Sequence, residues 1–170
     1  MRGNWGTPLE TKKGGKVLSE EAVKEIQEVA ARYPEKQAAL LTALHIAQRD
    51  AGWLPVEVKE EVARLLDISP AHVEGVARFY TMFKNRPTGK YLLQVCTTLS
   101  CSLLGAEHIV EYLKRRLNID VGETTPDNKF SLVTVQCLAS CGTAPVMMIN
   151  DEHYEALTPQ KLEALLSSLE

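Results

Sequence analysis

From Ser19 onward the apolar positions recur at helical spacing. Val23, Ile26, Val29, Ala30 and Tyr33 fall on one face, and Pro34 ends the run because its ring cannot continue a helix. A second helix is predicted from about Glu35 to Asp50, with Ala39, Leu40, Leu44 and Ala47 as its stripe and Gly52 as its stop. A third covers roughly Val56 to Leu66. The fourth begins at Ser69 and Pro70, an N-cap hydroxyl followed by proline at the first helical position, and lines up Val73, Val76, Ala77, Tyr80 and Phe83. Residues 19–86 therefore read as a small helical bundle. Residues 1–18 before it are polar, carry glycine and lysine clusters and show no periodicity, which predicts a flexible tail.

After Pro87, Thr88 and Gly89 the period changes from helical to alternating. Tyr91, Leu93 and Val95 alternate with Leu92 and Gln94, which predicts a strand running into Cys96. A helix is expected from about Ser102 to Leu117, with Ala106, Ile109, Val110, Leu113 and Leu117 on its buried side. Strands are predicted at Phe130 to Gln136, Pro145 to Ile149 and near Tyr154 to Leu157, with a polar loop from Gly122 to Asn128 and a turn at Asn150 to Glu152. Thr158 and Pro159 cap a last helix reaching Ser168. The order β-α-β-β-β-α over residues 87–170 closes as a short sheet with helices packed on it, in outline a thioredoxin arrangement. The fold class is α+β, a helical bundle followed by a thioredoxin-like domain.

Composition narrows the function classes. The 170 residues are 45% apolar and 24% charged with a net charge of −3, so nothing electrostatic points to nucleic acid or an anionic membrane surface. Protein partners are the expectation. No window approaches the roughly 18 continuous apolar residues of a membrane span, and the N-terminal stretch lacks the apolar segment of a secretory signal, so a cytoplasmic chain is expected. No G-x-G-x-x-G and no phosphate loop is present, so the chain offers no dinucleotide site of its own.

The chemistry is concentrated in sulfur. All four cysteines, Cys96, Cys101, Cys137 and Cys141, lie in the C-terminal half. Cys96 ends a predicted strand and Cys101 opens the next helix, while Cys137 and Cys141 sit in the loop after the second strand. Loops that follow parallel strands gather at one sheet edge, so four thiolates can converge there. The small and polar residues between them, TTLS and LAS, let backbone N–H groups approach the sulfurs. Reducing compartments disfavour structural disulfides and leave metal binding or redox chemistry. Zinc takes four cysteines tetrahedrally, but gaps of four and three fit its usual tight knuckles poorly. A [2Fe–2S] cluster is wider and tolerates C-x₄-C. A thiol oxidoreductase lacks its C-x-x-C pair.

The C-x₄-C, a gap of 35 residues and then C-x₃-C, read with VQCLASCGTAPVMMIND, resemble the small [2Fe–2S] subunit of NADH:quinone oxidoreductase, respiratory complex I, a thioredoxin-like ferredoxin. LHIAQRDAGWLPVEV and HVEGVARFYTMFKNRPTGKY are similar to that family's N-terminal helices and linker, and the likeness runs from about residue 19 to the end. The resemblance implies an electron-transfer role with Cys96, Cys101, Cys137 and Cys141 as cluster ligands, the first two on one iron and the last two on the other. It implies docking onto a larger flavin-bearing subunit that binds FMN and NADH and carries out hydride transfer, in the peripheral arm of a membrane-associated complex, with no catalytic residue on this chain. The same type of subunit occurs in NAD-linked hydrogenases and formate dehydrogenases, so an equivalent small subunit there is the alternative. A zinc-stabilised adaptor module is the alternative from another class.

The remaining candidates have plainer readings. His45, His72, His108 and His153 are scattered, and none has a Rieske-like spacing to a cysteine. Met147 and Met148 are expected to pack in the third strand. Pro145 can be a cis proline beside the cluster or a trans proline opening a strand. Glu20, Glu21, Lys24, Glu25 and Glu28 read as a solvated helix face.

Overall fold

The computed structural model describes residues 17–169, which fall into two compact units that divide between Pro87 and Thr88. The tail expected over residues 1–18 lies outside the described residues as far as residue 16; Leu18 is buried in the bundle core.

The first unit is helical. Helix α1, Glu20–Ala30, opens on Ser19, whose hydroxyl accepts from the Ala22 N–H at 3.1 Å. The Ser19 N–H and hydroxyl both donate to the Asp50 carboxylate, which ties the start of α1 to the end of the next helix. Acidic Glu20 and Glu21 occupy the first turn, where the helix dipole favours them. Ala22, Ile26 and Ala30 face the core, and the helix stops before Tyr33, which is exposed. The predicted second helix divides into a 3₁₀ turn, Lys36–Ala39, and α2, Leu40–Ala51. Gly52 ends it at φ 83°, the left-handed cap that glycine adopts without strain. Helix α3, Val56–Leu66, has its predicted bounds, and Asp67 at φ 56° terminates it.

Helix α4, Pro70–Phe79, opens at Ser69 and Pro70 as expected, but its cap bond and its far end differ from expectation. The Ser69 hydroxyl makes no capping bond; its carbonyl instead accepts from the His72 and Val73 N–H groups. At the other end the helix stops short of Phe83, because the Asn85 amide donates to the Ala77 carbonyl at 2.7 Å and holds the chain in a return turn. Ile26, Leu44, Val62, Leu66, Val73 and Ala77 make the centre of this core.

The second unit is a four-stranded sheet in the order β2-β1-β3-β4. Strands β1, Tyr91–Cys96, and β2, Phe130–Val135, are parallel, whereas β3, Met147–Ile149, runs antiparallel to β1 and β4, Glu152–Tyr154, antiparallel to β3. A parallel pair needs a long crossover. Two helices supply it, α5 at Leu99–Leu103 and α6 at Ala106–Leu117. The sequence pattern predicts one helix from Ser102; Gly105 at φ 94° breaks it into two pieces. Leu93 and Val95 of β1 and Leu132 of β2 pack with Ile109, Val110 and Leu113 of α6 and with Leu162 and Leu166 of α7, Pro159–Ser168. Thr158 caps α7 as expected, its hydroxyl accepting from the Lys161 N–H.

The short strands also shift. Strand β3 begins at Met147, two residues after a cis Ala144–Pro145 bond, and β4 ends at Tyr154. The segment expected as strand near Leu157 instead bonds back to the loop, Ala156 N–H to the Thr143 carbonyl and Leu157 N–H to the Pro145 carbonyl. Met147 is buried in the core, as predicted, and Met148 is half-buried on the opposite face of the sheet.

Candidate metal centre

Strand pairing brings the sulfurs together. In the parallel register Cys96 stands opposite Val135, so β1 and β2 end at the same edge. The Cys96 N–H donates to the Val146 carbonyl at 3.1 Å and the Thr97 N–H to the Val135 carbonyl at 3.2 Å, which carries the pairing to the last residue of each strand. Cys137 follows β2 by two residues, and Cys141 opens a 3₁₀ turn, Cys141–Thr143. Cys101 sits in the middle of α5, in the crossover that leaves the end of β1.

The four thiols form two pairs. Cys137 and Cys141 have their Sγ atoms 3.4 Å apart and are exposed, whereas Cys96 and Cys101 are each 2% exposed and share one small buried cluster. The pairs also sense each other: Cys96 acts electrostatically on Cys137 and Cys141, and Cys141 acts on Cys101. All four sequence-predicted ligands are thus in one constellation.

Its electrostatics are asymmetric within each pair. Burial pushes the Cys96 thiol up, but bonds from the Thr98 side chain and backbone, the Leu138 backbone and Cys101 outweigh it and draw Cys96 below the usual thiol value. Burial and the neighbouring Cys96 hold Cys101 above it. The Ala139 N–H, donating to Cys137 Sγ at 3.3 Å, lowers Cys137, helped by Cys141; Cys141 is raised by bonding to Cys137 and by its charge. Each pair therefore has one sulfur ready to carry negative charge. Donors aimed at sulfur stabilise thiolate ligands and metal-bound sulfur alike.

Two contributors carry no motif of their own. The Thr98 hydroxyl lies 3.2 Å from Cys96 Sγ and also helps to lower Cys137, and the Ser100 hydroxyl opposes the rise of Cys141. Hydroxyl residues inside the C-x₄-C gap are the signal that could have found them. The expected approach of backbone N–H groups from the LAS segment is met by Ala139, at φ 63°. Two of the histidines belong to the helical bundle: His45 packs on Phe83 and His72 pairs with Gln37.

The donor set suits a two-metal cluster. Two thiol pairs side by side match a [2Fe–2S] cluster, which takes two thiolates on each iron.

Fold and site together define an iron–sulfur protein of thioredoxin-like architecture. The model for the thioredoxin-like [2Fe–2S] ferredoxins matches residues 26–170, and the chain belongs to that family. Its cofactor is accordingly a [2Fe–2S] cluster and its work is electron transfer. The chain is similar to NADH-quinone oxidoreductase subunit 2 of Thermus thermophilus, 49% identical over 147 residues that cover 85% of this chain and 81% of the relative. It is also similar to NADP-reducing hydrogenase subunit HndA of Solidesulfovibrio fructosivorans, 37% identical over 151 residues, or 89% of this chain and 88% of the relative. Among solved structures, an NAD+-reducing [NiFe]-hydrogenase in the air-oxidized state shares the fold at a TM-score of 0.66 and 22% identity, over 77% of this chain but only 22% of that one. No helix among the described residues is long and apolar enough to cross a membrane.

Proposed function

We propose that the chain carries one [2Fe–2S] cluster beside the flavin- and NADH-binding subunit of an NADH:quinone oxidoreductase, in the peripheral arm of that complex. Cys96 and Cys101 hold one iron and Cys137 and Cys141 the other. The observation that carries this reading is the arrangement of the four sulfurs as two pairs at one sheet edge. When bound, the cluster supplies one-electron chemistry, which complements a flavin that takes two electrons at once. The chain's own residues hold and tune it. The buried Cys96 and Cys101 keep water from one side, the Ala139 N–H donates to Cys137 sulfur, and the Thr98 hydroxyl lies within hydrogen-bond reach of Cys96 sulfur. The oxidoreductase names of its relatives support the assignment to such a complex.

A second assembly has a specific observation in its favour, the likeness to a hydrogenase subunit over most of both chains. The chain would pass single electrons there too, and the donor and acceptor at the two ends of the path would differ. An adaptor built on a single zinc is disfavoured by the match to the thioredoxin-like [2Fe–2S] ferredoxins over residues 26–170.

The test is a metal and sulfide analysis of protein purified without oxygen. Two irons and two acid-labile sulfides per chain are expected; one zinc with no sulfide would sink the reading. Co-purification from native cells then separates the assemblies, a flavin subunit with quinone-reducing activity supporting the first and a hydrogenase subunit the second.

A further inference from the structure

We propose that in the cluster-free chain Cys137 and Cys141 close into a reversible disulfide, and that this bond blocks cluster loading until a thiol reopens it. The blocking half rests on the ligand assignment above; the bond itself does not.

Geometry singles out this pair. The two Sγ atoms are already 3.4 Å apart, so forming a bond of about 2.05 Å asks them to move roughly 1.4 Å closer. Both residues are exposed, and the three residues between them belong to no strand or helix, so the loop can yield. Ala139 in the left-handed region turns that loop so that its two sulfurs face one another. The other pair is protected from the same reaction. Cys96 and Cys101 are buried with Ala106 and Val146 in a small apolar cluster, where a dissolved oxidant cannot reach the sulfur.

The oxidant is a small-molecule disulfide of the glutathione class. One cysteine sulfur attacks it, forming a mixed disulfide and releasing one small thiol. The second cysteine sulfur then attacks the protein sulfur of that mixed bond, closing the Cys137–Cys141 bridge and releasing the second small thiol. The protein pair gives up two electrons and two protons, and the small disulfide takes both. Every chain passes through a cluster-free state before its cluster is inserted, and an exposed thiol pair is then open to irreversible over-oxidation. The bridge diverts it into a form that thiols can restore. A bridged sulfur cannot serve as a thiolate ligand, so loading becomes linked to the thiol poise of the compartment.

The experiment uses the full chain, freed of metal by anaerobic chelation and checked for retained helical signal by circular dichroism. It is treated with oxidised glutathione, alkylated and digested with trypsin. Tryptic cleavage separates the pairs, since Tyr91–Lys114 holds Cys96 and Cys101 while Phe130–Lys161 holds Cys137 and Cys141. The expected result is a 130–161 peptide lighter by two hydrogens and a 91–114 peptide with both thiols alkylated. Glutathione adducts that persist, a bond within 91–114, or scrambled pairs would overturn the proposal. Oxidised and reduced chains, freed of glutathione, then receive ferric iron and sulfide. The early rise of visible cluster absorption is expected only in the reduced chain, and in the oxidised chain after a dithiol is added. Equal initial rates would defeat the blocking half. A reduced chain that takes up no cluster would defeat the ligand assignment, and the blocking half with it, while the peptide result still decides the bond.

Discussion

Among the described residues Lys59 is the one charged side chain that the bundle buries, at 5% exposure, and its partner can be removed without changing shape. Its ammonium is held by the Glu74 carboxylate and by Asn85 Oδ1 at 3.3 Å, and Glu74 also pairs with exposed Arg78. Glu74→Gln strips the charge and leaves the ammonium buried beside two amides. Removing one partner from a fully buried pair costs about 3–5 kcal/mol. The Glu74 side chain keeps 32% of its surface in water, and the glutamine oxygen retains one hydrogen bond, so the expected cost is roughly 2 kcal/mol. Lys59→Met removes the charge together with its desolvation penalty and should cost under about 1 kcal/mol, since Glu74 keeps Arg78. In the double variant the Gln should add almost nothing, a coupling of roughly 2 kcal/mol. The pH dependence has a fixed sign. Bonding to Lys59, then to Arg78, holds the Glu74 carboxyl below its ordinary 4.5 against the opposing effect of burial. A depressed folded-state value stabilises the fold above the ordinary value and is lost as the pH falls through the folded one. The gap between wild type and Glu74→Gln should therefore narrow in acid. Urea unfolding followed by far-ultraviolet circular dichroism, at neutral pH and well below the ordinary carboxylate value, reads both. A Glu74→Gln chain within about 0.5 kcal/mol of wild type at neutral pH, or a Lys59→Met chain less stable than the Glu74→Gln chain, would refute the reasoning.

Leu113→Ala removes a fully buried side chain between α6 and the sheet and should cost about 3 kcal/mol in urea unfolding; a loss below about 1 kcal/mol would mean that the site collapses around the cavity. Gly89→Ala places a Cβ 2.9 Å from the Lys129 carbonyl carbon and oxygen, so the backbone must shift, at roughly 1–3 kcal/mol in thermal unfolding. Thr98→Val deletes the hydroxyl beside Cys96 Sγ and should lower the cluster potential by roughly 40 mV in a redox titration, taking about 1 kcal/mol for one hydrogen bond; an unchanged or raised potential would show that the hydroxyl does not donate to sulfur. Cys137→Ser and Cys141→Ser should each weaken or abolish the visible cluster absorption while the helical signal of the bundle persists, and an unchanged spectrum in both would remove them as ligands.

What a sequence reveals, and what it hides, follows from the range of the forces involved. Helix α3 is legible to the residue because its apolar spacing and its flanking proline are local. The end of α4 is not. It depends on the Asn85 side chain reaching back eight residues to the Ala77 carbonyl, a bond that no periodicity announces. Ser69 carries the right residue type for a cap, yet its hydroxyl makes no capping bond, because the His72 N–H it would accept already goes to the Ser69 carbonyl. Gly105 stands in plain view within the predicted helix of the crossover, but whether a glycine breaks a helix or merely weakens it depends on the packing that follows. The four cysteines are recognisable as a set, and their gaps point to two pairs. The hydroxyls of Thr98 and Ser100 are not, because serine and threonine are common in any loop and become distinctive only once a sulfur is seen beside them.

Each cysteine pair is local, but the site is not, because 35 residues separate Cys101 from Cys137. The one long-range fact that joins them is the parallel register in which Cys96 meets Val135. A slip of one residue between β1 and β2 would displace the Cys137 loop by about 3.3 Å along the strand and turn the side chains of β2 to the opposite face. The sheet resists that slip through its core. Leu132 lies opposite Leu93 with both wholly buried, and Phe130 stacks on Tyr91 with ring centroids 5.5 Å apart. A slipped strand would turn Leu132 and Phe130 out of the core and bring Ser131 and Val133 in. The apolar pairs at the start of the two strands thereby hold the sulfurs at their ends in place, so residues that touch no sulfur set the separation of the two thiol pairs.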